Sequence, residues 1–126
     1  MTDLIRDLHV IGRWVVTIMT VVAFLRLLWG MKQNKPVDQQ TQKLVTIWGI
    51  SVDTQWALGI LLFVVLGDFE LRYRWLHAIV MTLAVVVAHT SAMLKKREDK
   101  LRYQAGLVSM IVVMVLVFIG VDVLTW

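Results

Sequence analysis

LVTIWGISVDTQWALGILLFVVLG, residues 44–67, decides the fold. It contains no proline, and Asp53 is its one charged side chain. A helix of this length spans the hydrocarbon of a bilayer, which takes about 20 residues at about 1.5 Å each. A soluble core helix has no use for so long an apolar stretch, whereas lipid demands it, because backbone polar groups there must be satisfied within the segment.

Working outward, three further stretches have the same character: residues 8–30, 75–94 and 103–126. Polar breaks at 31–43, 68–74 and 95–102 separate them, and the first holds the only proline, Pro36. With 59% hydrophobic residues among 126, the four stretches fill the chain and leave no room for a separate soluble domain. The expected architecture is all-α: a single transmembrane domain, an integral membrane up-and-down four-helix bundle with helices near 3–31, 42–67, 72–97 and 101–125. The flank of the first stretch balances Arg6 with Asp3 and Asp7, and no small-residue cleavage site ends it, so it reads as a retained helix. The absence of cysteine excludes disulfides, thiolate metal sites and c-type haem attachment.

The basic residues set the expected orientation. Arg26, Lys32, Lys35, Lys43, Lys95, Lys96, Arg97, Lys100 and Arg102 gather at the first and third breaks. Arg6, Arg13, Arg72 and Arg74 at the other end are offset by Asp3, Asp7, Asp68, Glu70 and Asp122. Lys and Arg mark the cytoplasmic side, so both termini are expected on the outer side of a bacterial cytoplasmic (inner) membrane. Topology and anionic headgroups account for the net charge of +4, and no nucleic-acid partner is expected. Trp14, Trp29, Trp48, Trp75, Tyr73, Tyr103 and Trp126 fall near predicted interfaces, where amphipathic rings anchor helices. Trp56 falls near mid-helix and reads as core packing.

Ionisable groups inside a span are costly and count as functional candidates. Five are present: His9, Arg13, Asp53, His77 and His89. His9 and His77 lie at nearly equal depth on helices expected at diagonal corners of the bundle. Two imidazoles so placed could hold a haem iron between them. Met81, Ala84 and Ala88 share the face of His77 and leave room beside it. Arg13 lies one turn from His9 on the same face and suits a haem propionate, and Arg72 and Arg74 are further candidates. The alternative is that the histidines are interfacial, that Arg13 snorkels and that the alanines serve helix packing.

His89 lies 12 residues beyond His77, about 18 Å deeper, so one haem cannot take both. It is a candidate for a second haem, with Met110 at matching depth, or a partner for Asp53. That pairing reads either as a proton relay or quinone headgroup site, or as a buried polar network that fixes helix register.

These residues carry a resemblance. His9-x-x-x-Arg13-Trp14, Leu25 to Gly30, Lys35-Pro36, Val52 to Gly59, Leu76-His77 and Ala88-His89 resemble the pattern of small bacterial four-helix membrane proteins of the cytochrome b-like type. The resemblance implies a membrane-bound haem b electron carrier with His9 and His77 as iron ligands and His89 as a further candidate. The chain departs from the pattern in its short outer loop and in the Leu76 and Ala78 flanks of His77. The expected role is one-electron transfer to or from a redox partner or quinone, as part of a larger membrane complex rather than as a free-standing enzyme. The rival expectation is a haem-free accessory subunit that stabilises a respiratory, photosynthetic or transport complex.

Overall fold

A computed structural model of the chain describes residues 2–67, 70, 72–93 and 97–120. Four helices account for nearly all of them: α1 (Thr2–Lys32), α2 (Gln39–Leu66), α3 (Arg72–Met93) and α4 (Asp99–Phe118). Their principal contacts run round the bundle, α1 on α2 and α4, and α3 on α2 and α4, so α1 and α3 occupy diagonal corners. The up-and-down arrangement expected from the sequence is the one observed.

Helix ends follow local chemistry. Asp38, just after Pro36, caps α2 by accepting the Thr41 backbone N–H at 2.7 Å. This starts α2 at Gln39, three residues before the expected start at 42. At its other end Gly67 takes a left-handed φ of 70° and returns its N–H to the Phe63 carbonyl. The third helix, expected to reach 97, is described to Met93, and residue 97 stands in a bend. The fourth begins at Asp99 rather than 101 and closes with a wider turn at 119–120. The expected end of α4 at 125 lies outside the described residues.

The surface argues for lipid. α1, α2 and α4 are long and apolar enough to cross a membrane, and only 6% of the apolar stretch of α2 is buried inside the bundle. Leu4, Ile11, Ile18, Leu25, Ile50, Val64 and Phe118 point outward from three different helices. A water-soluble protein would not leave so continuous an apolar belt exposed. The chain is a multi-pass membrane protein.

The bundle interior is built round Trp48. Val16, Ala23 and Leu27 from α1, Ala84 and Ala88 from α3, and Leu107, Met110 and Val113 from α4 belong to the same core. Trp48 was expected at an interface but is fully buried, because its indole N–H donates to Thr20 Oγ1 at 2.8 Å. Thr20 in turn donates to the Val16 carbonyl at 2.7 Å, so the buried polar atoms form a closed chain. Tyr103 is buried too, its hydroxyl donating to the Pro36 carbonyl at 3.3 Å. Trp14, Trp29 and Trp75 are exposed, as interfacial rings should be. The Tyr73 side chain and Trp126 lie outside the described residues.

The loop end is fastened by charge. Arg26 of α1 reaches Asp38 Oδ2 and Thr41 Oγ1, both at 3.3 Å, and Arg102 of α4 donates to Gln42 Oε1 at 2.7 Å. Trp29 lies under both the Arg26 guanidinium and the Lys35 ammonium.

Two outcomes test this packing. Trp48→Ala removes a buried aromatic together with its hydrogen bond to Thr20, and should cost about 3–5 kcal/mol. Trp14→Ala, at a ring 59% exposed, should cost far less in the same denaturation assay in detergent. Hydrogen bonds from Thr41 and the Arg26 charge hold the Asp38 carboxyl below its ordinary value. A carboxylate with a lowered native pKa stabilises the fold above its unfolded pKa and loses that contribution as pH falls through the native one. The melting advantage of the wild type over Asp38→Ala should therefore hold from neutral pH to about pH 5 and vanish below about pH 3.

Candidate functional site

The histidines of α1 and α3 meet in one cavity. It measures about 460 Å³ and lies in the half of the bundle away from the Pro36 loop. That volume is in the range of small-molecule and cofactor sites, about 300–1,000 Å³. Its apolar walls include Val16 of α1, Val52 and Phe63 of α2, Ala84 of α3 and Val117 of α4. His9 and His77 both line it, from helices at opposite corners.

Each imidazole is seated by a glycine. His77 Nδ1 lies 2.9 Å from the Gly120 carbonyl at the wide turn ending α4. A carbonyl only accepts, so Nδ1 carries the proton and the lone pair belongs to Nε2. The Cε1 edge of His9 comes so close to α2 that a Cβ at Gly59 would stand 3.0 Å from it. Gln55, one turn before Gly59, donates its side-chain N–H to the His9 backbone carbonyl. His9 Nδ1 and Gln55 Oε1 are buried without a hydrogen-bond partner among the described residues. Unpaired buried polar atoms are rare and ask for an explanation.

Arginines ring the site. Arg13 lines the cavity, as expected, and so do Arg74 and Arg6. Arg72 is exposed and does not line it. Arg6 also makes an exposed pair with Asp3 at 3.8 Å, and Arg13 lies 5.7 Å over the Trp14 ring. Among the described residues, no group of three His, Asp or Glu side chains could hold a bare metal ion. The donor set is thus two imidazoles with a cationic rim. It suits a group that brings its own in-plane ligands and carries anionic substituents.

His89 stands apart. Its Nε2 lies 2.9 Å from Asp53 Oδ1, so the pairing expected between them is present. It is not a buried network, since the two side chains are 57% and 41% exposed on the α2–α3 face. Thr90 bonds to Ser109 of α4 at 3.2 Å instead of joining it. Met110 is fully buried and lines a groove between α1 and α4. Trp56, expected in the core, lines the cavity yet sends its indole N–H to Thr82 on the exposed face, at 3.0 Å.

Sequence reasoning missed Arg6, Gly59 and Gly120 as parts of the site. Arg6 lies one turn before His9, a spacing that could have found it. Nothing in sequence marks which glycine faces which histidine.

Compared with known proteins, the chain matches no family model, no curated protein and no solved structure.

The seat of His9 is testable. Gly59→Leu fills the space occupied by the ring and should drive it outward. Ethoxycarbonylation of His9 by diethyl pyrocarbonate, read by peptide mass, should rise several-fold, with exposed His89 as the internal reference. An unchanged rate would mean that the ring does not rest on Gly59.

Proposed function

We propose that this protein is a membrane-bound haem b electron carrier with His9 and His77 as the axial ligands. The observation that carries the reading is that these two side chains, from diagonal helices, line one cavity of cofactor size. The Nδ1–H of His77 is held by the Gly120 carbonyl, which orients the ring and leaves Nε2 to bind iron. His9, which rests on Gly59 and lines the same cavity, would supply the second ligand. Arg6, Arg13 and Arg74 would neutralise the propionates and hold the ring edge. When bound, haem supplies a one-electron couple whose potential follows ligand type, burial and nearby charge.

The chain's own part is to keep that couple dry and oriented. The apolar walls exclude water, and positive charge on the arginines would disfavour the oxidised, more positive state and so raise the potential. In this reading α3, 22 residues and about 33 Å long, is the fourth span. The Pro36 loop and the Arg97 to Arg102 end face the cytoplasm, and both termini face outward, following the positive-inside rule. The haem then lies toward the outer leaflet of a bacterial inner membrane. Electrons pass to or from a membrane partner or quinone.

The test is a reduced-minus-oxidised spectrum with a pyridine haemochrome assay on protein purified from its native membrane. The expected result is a b-type signal at about one haem per chain, lost in His9→Ala and in His77→Ala and retained in His89→Ala. Protein drawn from its membrane without haem would defeat the proposal and favour the accessory-subunit reading. A ratio near two, with loss of one haem in His89→Ala, would overturn the single-haem assignment.

A further inference from the structure

The cavity leaves the Asp53–His89 pair unexplained. Asp53 lies 14 residues from the start of α2 and 13 from its end, at the middle of the helix and so deep in the membrane. Its carboxylate and the His89 imidazole are turned outward, 41% and 57% exposed on the α2–α3 face. Ionisable groups in a span face the bundle interior, a water-filled space or another protein, because hydrocarbon cannot solvate them. This bundle turns both outward, so something outside the chain covers them.

A second observation concerns the same face. Gly49 lies one turn from Asp53 on α2, and a Cβ added there would meet nothing within 4 Å. Inside the bundle the reverse holds: at Gly12, Gly30, Gly59, Gly106 and Gly120 an added Cβ would collide with a side chain from another helix. Glycine in a helix interior is about 1 kcal/mol less favourable than alanine. The space at Gly49 is unused within the chain, and small residues on a membrane helix let a second backbone approach.

We propose that the covering partner is a second copy of this chain, joined through the α2–α3 face in a parallel two-fold dimer. The face is complementary to itself. A two-fold axis along the membrane normal, passing between α2 and α3, sets α2 of each protomer against α3 of its partner. Asp53 and His89 share one depth, because they are hydrogen-bonded. Asp53 therefore meets the partner's His89, and His89 meets the partner's Asp53. The two pairs close into a ring of alternating carboxylate and imidazole, with every member beside two groups of the opposite kind. The Trp56–Thr82 bond repeats the arrangement one turn away, again with one member on each helix. Gly49 lets the helices approach near enough for the ring to close. This dimer does not depend on what fills the cavity.

The test uses the full chain in liposomes. The natural chain has no cysteine, so single cysteines report cleanly. Because α2 and α3 run antiparallel, Gly49 is level with Met93, which is 81% exposed. Chains bearing Gly49→Cys, mixed with chains bearing Met93→Cys, should form disulfide-linked dimers several-fold more than either variant alone. Energy transfer between labelled wild-type chains should persist on dilution with lipid. Gly49→Leu should weaken that association about tenfold, whereas Val108→Leu, on the outer face of α4, should leave it unchanged. Circular dichroism confirms that each variant keeps its helices. Monomers at every dilution, homotypic crosslinks equal to heterotypic ones, or a dimer insensitive to Gly49→Leu would each overturn the proposal. So would recovery from the native membrane with a different protein crosslinked at Gly49.

Discussion

Hydrocarbon offers no hydrogen bonds, and the rest of this structure follows from how the chain supplies its own. The backbone settles the matter by being helical from end to end of each span. The hydroxyls settle it by folding back onto their own helix. Thr17, Thr20, Ser51, Thr54, Thr82 and Thr90 each donate to a carbonyl three or four residues earlier. Thr20 and Thr82 then accept an indole N–H from a neighbouring helix. A hydroxyl can do both because it donates once and still has lone pairs to offer. This lets two tryptophans cross between helices without leaving an unpaired donor.

The polar groups that cannot be settled in this way are the informative ones. An imidazole or a carboxylate cannot satisfy itself on its own helix. His9, His77, Asp53 and His89 are therefore forced into tertiary arrangements, and the chain builds two of opposite kind. His9 and His77 are turned into a cavity among apolar walls. Asp53 and His89 are turned out of the bundle and bonded to each other. One arrangement encloses a cavity, and the other faces out of the bundle.

Much of this was legible in the sequence. Four apolar stretches and three polar breaks predict the helices and their up-and-down order, because length against bilayer thickness is a strong constraint. The equal depth of His9 and His77, on the parallel α1 and α3, and the match of Asp53 with His89, on the antiparallel α2 and α3, follow from counting residues at about 1.5 Å each. Rotation was less legible. Hydrophobicity ordinarily reports which face of a helix is inside, but lipid is as apolar as the core and erases that signal. So Trp48 and Tyr103 read as interfacial rings and prove to be buried, whereas the Asp53–His89 pair, one of whose two readings is a buried network, proves to face outward. The glycines show the same limit. Gly59 and Gly49 look alike as residues, yet one seats His9 and the other faces open space.

The two arrangements share a wall. Trp56 lines the cavity with its ring and reaches the outer α2–α3 face with its indole N–H. In a dimer closed through that face, this tryptophan separates the cavity from the partner protomer. Covering the seam would remove lipid from one side of the cavity wall and place the polar Asp53 and His89 side chains of both copies near it. A redox centre held by His9 and His77 would then sense its partner through dielectric and charge rather than through direct contact. Association and potential would then be linked: the oxidation state that the paired seam favours would be the one in which the protomers associate more tightly.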